Sequence, residues 1–167
     1  MAHPSPPDRL EVAGTTFTVD RASRDDVAGI VALLHDDAVA AGRESPDDLA
    51  PYLLAFERVD ADPAHQLVVV HDPDGGLAAT LQLTVVPGLS RRGTTRVVVE
   101  AVRVAPDRRG GGLGGALLGW AERWALARGA TLVQLTTDVR RTDAHRFYER
   151  LGYVASHVGF KKELTAG

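Results

Sequence analysis

Apolar positions recur along the chain with two periods. From Thr15 to Arg21 polar and apolar residues alternate, the period of a strand. Val27, Ile30, Val31 and Leu34 then return at helical spacing behind Ser23, a helix-capping residue type, with Asp25 and Asp26 in the first turn, where exposed N–H groups favour acids. Ser45-Pro46-Asp47-Asp48 predicts a second helix start with proline at its first position, and Leu49, Leu53, Leu54 and Phe56 fill that helix. Strands are expected at Gln66 to His71 and at Leu77 to Val86, joined by a hairpin turn at Asp72-Pro73-Asp74-Gly75-Gly76. After a basic loop over 87–95, the run Arg96 to Val104 predicts a strand carrying one acid near its middle. A loop over 106–112 precedes a helix from Leu113 to Arg128, with Leu117, Trp120, Ala121 and Trp124 on one face and Gly129 as its stop. At i and i+4, Trp120 and Trp124 read as core. Thr131 to Thr136 predicts a strand, Asp143 to Leu151 a short helix ended by Gly152, and Tyr153 to Leu164 one or two closing strands.

The order β-α-α-β-β-β-α-β-α-β implies an α/β (α+β) architecture: a mixed, mostly antiparallel central sheet of six to seven strands with helices on both faces. Residues 1–12, rich in proline and charge, read as a flexible tail, and 13–167 as a single domain without internal repeats.

Composition narrows the chemistry. The 167 residues include no cysteine, which excludes disulfides, thiolate metal sites and a cysteine nucleophile. No apolar run reaches the roughly 18 residues of a membrane helix, and the first residues carry no apolar leader, so the expected location is the cytoplasm. The net charge of −3 conceals an asymmetry: residues 1–86 hold 5 Lys+Arg against 15 Asp+Glu, a net of −10, while 87–167 hold 14 against 7, a net of +7. Either the C-terminal half meets an anion, or the two halves are solvated faces of opposite sign. Few aromatics lie among the arginines, which argues against nucleic acid.

The segment Arg108-Arg109-Gly110-Gly111-Gly112-Leu113-Gly114-Gly115 lies between a predicted strand and a predicted helix. Unpaired N–H groups at a helix start, glycines that admit a ligand close to the backbone, and two arginines together make a phosphate cradle. It is not a P-loop, because Ala116-Leu117 follow the last glycine where Lys-Ser/Thr is required. Gly110, Gly112 and Gly115 fit G-x-G-x-x-G, but Ala105 to Arg109 intervene after the strand, and too little chain follows for a doubly wound sheet.

This segment, as Val102-Arg103-Val104-Ala105-Pro106-Asp107-Arg108-Arg109-Gly110-Gly111-Gly112-Leu113-Gly114, resembles the signature of the GCN5-related N-acetyltransferase (GNAT) superfamily, Arg/Gln-x-x-Gly-x-Gly/Ala after a Val-x-Val-x-Pro strand. Arg109, Gly112 and Gly114 fill the signature positions. The later run Ala144-His145-Arg146-Phe147-Tyr148-Glu149-Arg150-Leu151-Gly152-Tyr153 is similar to that family's Ala-x-x-x-Tyr-x-x-x-Gly-Phe. The resemblance implies the acyl-CoA N-acyltransferase fold and direct acetyl transfer from acetyl-CoA to an amine, with no metal and no covalent enzyme intermediate. It implies the donor's pyrophosphate on the N–H groups of Arg109, Gly110, Gly111, Gly112, Leu113 and Gly114. It also implies the pantetheine arm along Val102, Arg103 and Val104 as an added strand, and the acetyl group in a gap where that strand splays from Thr131–Thr136. Where relatives carry an Asn beside the arm this chain has Arg141, and it contains no Asn at all; Arg141 then reaches the phosphates, or another residue holds the arm.

Acetyl transfer to an ammonium requires loss of a proton and protonation of the departing thiolate. Glu100, a carboxylate in an apolar strand, is the candidate base; the alternative is an exposed residue or an ion pair with Arg96 or Arg103. Tyr148, matching the family's tyrosine near the cofactor sulfur, is the candidate acid; the alternative is a packing aromatic. His145 and His157 are candidate proton relays, against a plain surface role. His35, Asp36, Asp37 and Glu44 border the expected acceptor pocket and either attract a cationic amine or form a solvated face. The implied partner is a small-molecule amine, with neither nucleic acid nor membrane. Dimerisation is common in the family, and no segment here demonstrates it. The competing class is a non-catalytic acyl-CoA sensor.

Overall fold

A computed structural model describes residues 8–37 and 42–164. The chain divides into two compact units, Met1–Leu135 and Thr136–Gly167.

The first unit carries a six-stranded sheet in the order β1-β2-β3-β4-β5-β6. The strands are β1 (Asp8–Val12), β2 (Thr15–Arg21), β3 (His65–His71), β4 (Leu77–Pro87), β5 (Thr95–Val104) and β6 (Leu132–Leu135). All neighbours are antiparallel except β5 and β6, which run parallel across the connection through a helix. Helices α1 (Val27–His35), α2 (Ala50–Ala61) and α3 (Leu113–Leu126) pack on this sheet. Val68, Val69 and Val70 are all buried, as are Ala78 to Leu81. Successive strand residues point to opposite faces, so runs of this kind mean that both faces are covered. On one face Ala22, Ile30 and Val69 gather Leu34, Phe56, Leu67 and Leu77 around them.

The expected mixed, mostly antiparallel sheet is therefore present, but the outermost strands differ from the expectation. Asp8–Val12, read from composition as part of a loose tail, forms β1. Leu10 pairs across from Phe17 and both are buried, while Asp8 accepts a 2.8 Å hydrogen bond from Trp120 Nε1. Residues 1–7 of that tail lie outside the described residues. Conversely, Tyr153 to Leu164 forms no strand. All of it beyond Tyr153 is exposed and it joins no ladder, although its large apolar residues Val154, Val158, Phe160 and Leu164 stand at even spacings, as on one face of a strand. The second helix also starts later than expected, at Ala50. Pro51 rather than Pro46 occupies its first turn, and Asp48 Oδ1 accepts the Ala50 amide at 3.1 Å. Ser23 does open the first helical segment, through a reciprocal pair with Asp26 across the 3-10 turn Arg24–Asp26.

The second unit is built around α4 (Thr142–Arg150). Asp138 organises the turn before it. Its carboxylate receives the Arg140 fork at 2.9 and 2.8 Å together with the Arg140 amide, and its carbonyl receives the Arg141 amide. These bonds from Arg140 hold its carboxyl far below the usual carboxylate range.

Asp72 plays the corresponding role in the first unit. It closes the β3–β4 hairpin by accepting the amides of Gly76 at 2.8 Å and Asp74 at 3.0 Å, and it also grips Arg108 at 2.8 Å. The Gly76 amide, against some desolvation and aided by Arg108 and the Asp74 amide, lowers its pKa. A carboxyl with a lowered folded-state pKa stabilises the fold above the ordinary carboxylate range, near about 4, and loses that contribution as pH falls through the lowered value. Asp72→Asn is accordingly expected to melt below the wild type at pH 7, with the gap in Tm narrowing as thermal scans are run below pH 4.

Candidate active site

β6 ends opposite Val99, whereas β5 continues to Val104. Glu100 to Val104 therefore have β4 on one side and no strand on the β6 side among the described residues. In this stretch the β4–β5 register breaks: Gln82 faces Glu100 and Thr80 faces Arg103, so Ala101 and Val102 together oppose Leu81. Ala101 takes a left-handed conformation, φ 54°, which costs a non-glycine residue on the order of 1 kcal/mol. The bulge bends the strand where it loses its neighbour. Glu100 stands just before the bulge and is exposed. Neither Arg96 nor Arg103 pairs with it, since the Arg103 guanidinium goes to Asp37 at 2.7 Å.

The glycine segment follows β5 through a 3-10 turn, Pro106–Arg108, and enters α3 at Leu113. Gly110 and Gly112 have φ of 78° and 90°, and these positive angles allow the chain to double back into the helix. Gly112 is the N-cap and has no side chain to cap the helix. The amides of Gly110, Gly111 and Gly112 donate to no acceptor among the described residues, and all three glycines are exposed. A Cβ at Gly110 would meet nothing within 4 Å, so the concavity is open. Leu113 and Leu117 are buried and anchor the helix start to the sheet.

The arginines around the turn are engaged in ion pairs. Arg108 pairs with Asp72 at 2.8 Å and Arg109 with Asp36 at 2.8 Å, and Arg109 Nε also donates to the Val104 carbonyl at 3.0 Å. Arg103 pairs with Asp37 and donates to the Val102 carbonyl at 2.8 Å. Three acids thus neutralise three arginines around the turn. An anion there meets oriented amides and the positive end of α3 rather than free guanidinium charge. Asp36 and Asp37, considered above as attractors for a cationic amine, are instead engaged in these pairs. Their partners lie far along the chain, and no local pattern signals them. Glu44 accepts from the Tyr52 hydroxyl at 2.8 Å, and His35 is exposed.

The remaining candidates belong to the second unit. Arg141 is the N-cap of α4. Tyr148 is half-buried on that helix, edge-on to Phe147 at 5.2 Å and to Tyr153 at 5.9 Å. The His145 ring bonds the Asp138 carbonyl at 3.0 Å. His157 is exposed, bonds Ser156 at 2.8 Å, and lies in no strand.

A parallel pair in which one strand ends early, a bulged strand and a glycine turn capping a helix define the acyl-CoA N-acyltransferase class of fold. The model of the acetyltransferase (GNAT) family matches residues 28–153, and the chain belongs to that family. The crystal structure of a transcriptional regulator from Bacillus halodurans C-125 superposes with a TM-score of 0.84 at 37% identity, covering 89% of this chain and 99% of that one. An acetyltransferase from Trypanosoma brucei superposes at 0.68 with 25% identity, over 89% and 99% of the two chains. An aminoalkylphosphonate N-acetyltransferase from Salmonella typhimurium is 47% identical over 66 residues, which is 40% of this chain and 43% of that enzyme. The chain thus matches less than half the length of that curated relative.

The Arg103–Asp37 pair is the most enclosed of the three, with side-chain exposures of 21% and 6%. Removing one partner of a buried pair leaves an uncompensated charge, at a cost of about 3 kcal/mol or more. Asp37→Ala is expected to lose stability on that scale in urea denaturation, and Asp37→Leu combined with Arg103→Met to recover much of it.

Proposed function

We propose that the protein is a cytoplasmic N-acetyltransferase that moves an acetyl group from acetyl-CoA directly to the primary amine of a small molecule. The observation that carries this reading is the row of unbonded amides at Gly110, Gly111 and Gly112, set at a helix start beside the unpartnered end of β5. Those amides, with Arg109, Leu113 and Gly114, fit a diphosphate. The side of Val102 to Val104 that faces no strand fits an extended amide-bearing arm, which would exchange with the Arg103 and Arg109 donors on the Val102 and Val104 carbonyls. Acetyl-CoA supplies the activated acetyl thioester.

Glu100 takes a proton from the acceptor ammonium, directly or through water. Its exposure beside the bulge and its lack of any hydrogen-bond or ion-pair partner among the described residues leave it available for that task. The Val102 N–H polarises the acetyl carbonyl. Tyr148 donates a proton to the departing sulfur, a role a phenol fills without carrying charge in its resting state. Arg141 assists the cofactor from the start of α4. The acceptor class draws support from the partial match to an aminoalkylphosphonate N-acetyltransferase, which acts on a small amine.

A second reading, a non-catalytic acyl-CoA sensor, draws on the 37% identity to a protein described as a transcriptional regulator. Thiol release from acetyl-CoA over a panel of amines, aminoalkylphosphonates included, separates the two: turnover with any amine supports the enzyme, and binding without turnover supports the sensor. Tm is expected to rise with acetyl-CoA by mass action, and an unchanged Tm at millimolar cofactor would count against both readings. Glu100→Gln and Tyr148→Phe are each expected to lower kcat by about 10²-fold while retaining that thermal shift; an unchanged kcat removes the residue from the mechanism.

A further inference from the structure

We propose that a depression between β1 and the C-terminal half of α3 is a second binding site, one that takes a small polyanion carrying two or more carboxylate or phosphate groups. The depression encloses about 440 Å³ and is lined by Asp8 and Arg9 of β1 and by Trp120, Arg123, Trp124 and Arg128 at the end of α3. That volume lies within the range of small-molecule sites. None of these residues belongs to the glycine turn, to β5 or to the second unit, so the inference does not depend on the acetyltransferase reading.

The argument rests on charge. Three guanidiniums border one hollow with a single carboxylate among them, and that carboxylate, Asp8, already accepts the Trp120 indole N–H at 2.8 Å. Arg9 and Arg123 make no hydrogen bond or ion pair with any described residue. Arg128 stacks on Trp124, with Cζ 3.7 Å from the ring centroid, and donates to the Trp124 carbonyl at 3.3 Å. Burial lowers its affinity for its proton. Five other arginines of this unit meet acids: Arg21 with Asp60, Arg24 with Glu57, and the three pairs around the glycine turn. Here three of them border a single carboxylate, that of Asp8. Like charges held this way repel, and an oxyanion offsets the repulsion while accepting the forked N–H donors in pairs. The indoles supply the apolar wall that such a site needs. Trp124, which its position on the helix predicts to be core, is only half-buried because it forms this wall.

The chain's two tryptophans both line the depression, so tryptophan emission, excited selectively over the three tyrosines, reports on it. Citrate and inorganic pyrophosphate are titrated separately at constant ionic strength, with and without saturating CoA. The expected result is a saturable change in emission with at least one of them, half-complete below about 1 mM and present whether or not CoA is bound. In Arg9→Gln/Arg123→Gln the midpoint is expected to move by about tenfold or more, with Tm in the absence of anion unchanged. A response to citrate assigns the site to carboxylates and a response to pyrophosphate to phosphates. No saturable change with either anion up to about 20 mM, or an identical titration of the double variant, would overturn the proposal.

Discussion

β5 outruns its parallel neighbour. Once β6 stops opposite Val99, the last residues of β5 carry backbone donors and acceptors with no strand to receive them on that side, and a polar backbone edge must be satisfied by something. The chain meets part of the demand itself: Arg103 takes the Val102 carbonyl and Arg109 takes the Val104 carbonyl. The bulge at Ala101 and the glycine turn that follows are consequences of the same geometry, since a strand leaving its partner must bend and then re-enter the fold as α3. The proposed site is this unfinished edge with a helix start at its end.

What keeps the edge open is a set of ion pairs contributed by distant elements. Asp36 and Asp37 at the end of α1 and Asp72 in the β3–β4 hairpin hold Arg109, Arg103 and Arg108 respectively. Two of the pairs tie the end of β5 and the turn to the end of α1, and the third ties the turn to the β3–β4 hairpin. Because each arginine is neutralised, the local attraction for an anion comes from the amides and the dipole of α3, both fixed in direction. Such a site selects by geometry more than by net charge. The hollow beside Trp124 differs: there three arginines border one carboxylate without pairing to it, and charge rather than backbone direction would draw the ligand.

Much of this was legible before any coordinates. The alternation of Thr15–Arg21, the hairpin at Asp72–Gly76, the long strand ending at Val104 and the helix from Leu113 all stand close to where the residue pattern puts them, because each rests on local chemistry: period, turn residues and caps. The family signature located the glycine turn for the same reason. What was not legible is non-local. Nothing near Asp8–Val12 announces a strand; that depends on Leu10 meeting Phe17 and on Asp8 meeting Trp120, 112 residues away. Nor does Ala101 announce a left-handed residue, since alanine is not a usual marker of one. Asp36 and Asp37 looked like an acidic surface until Arg109 and Arg103 were brought to them. Tyr153–Leu164 has the composition and the even apolar spacing of a strand but joins no ladder, because pairing is not fixed by the local pattern.

The central claim is that the exposed amides of the glycine turn receive a diphosphate. It is tested most directly by the ¹H–¹⁵N amide spectrum of the labelled protein as CoA is added. The account predicts that the Gly110, Gly111 and Gly112 resonances move downfield and saturate together as each N–H takes a charged acceptor. If those three stay in place while amides elsewhere respond, the cofactor is held somewhere else and the account is wrong.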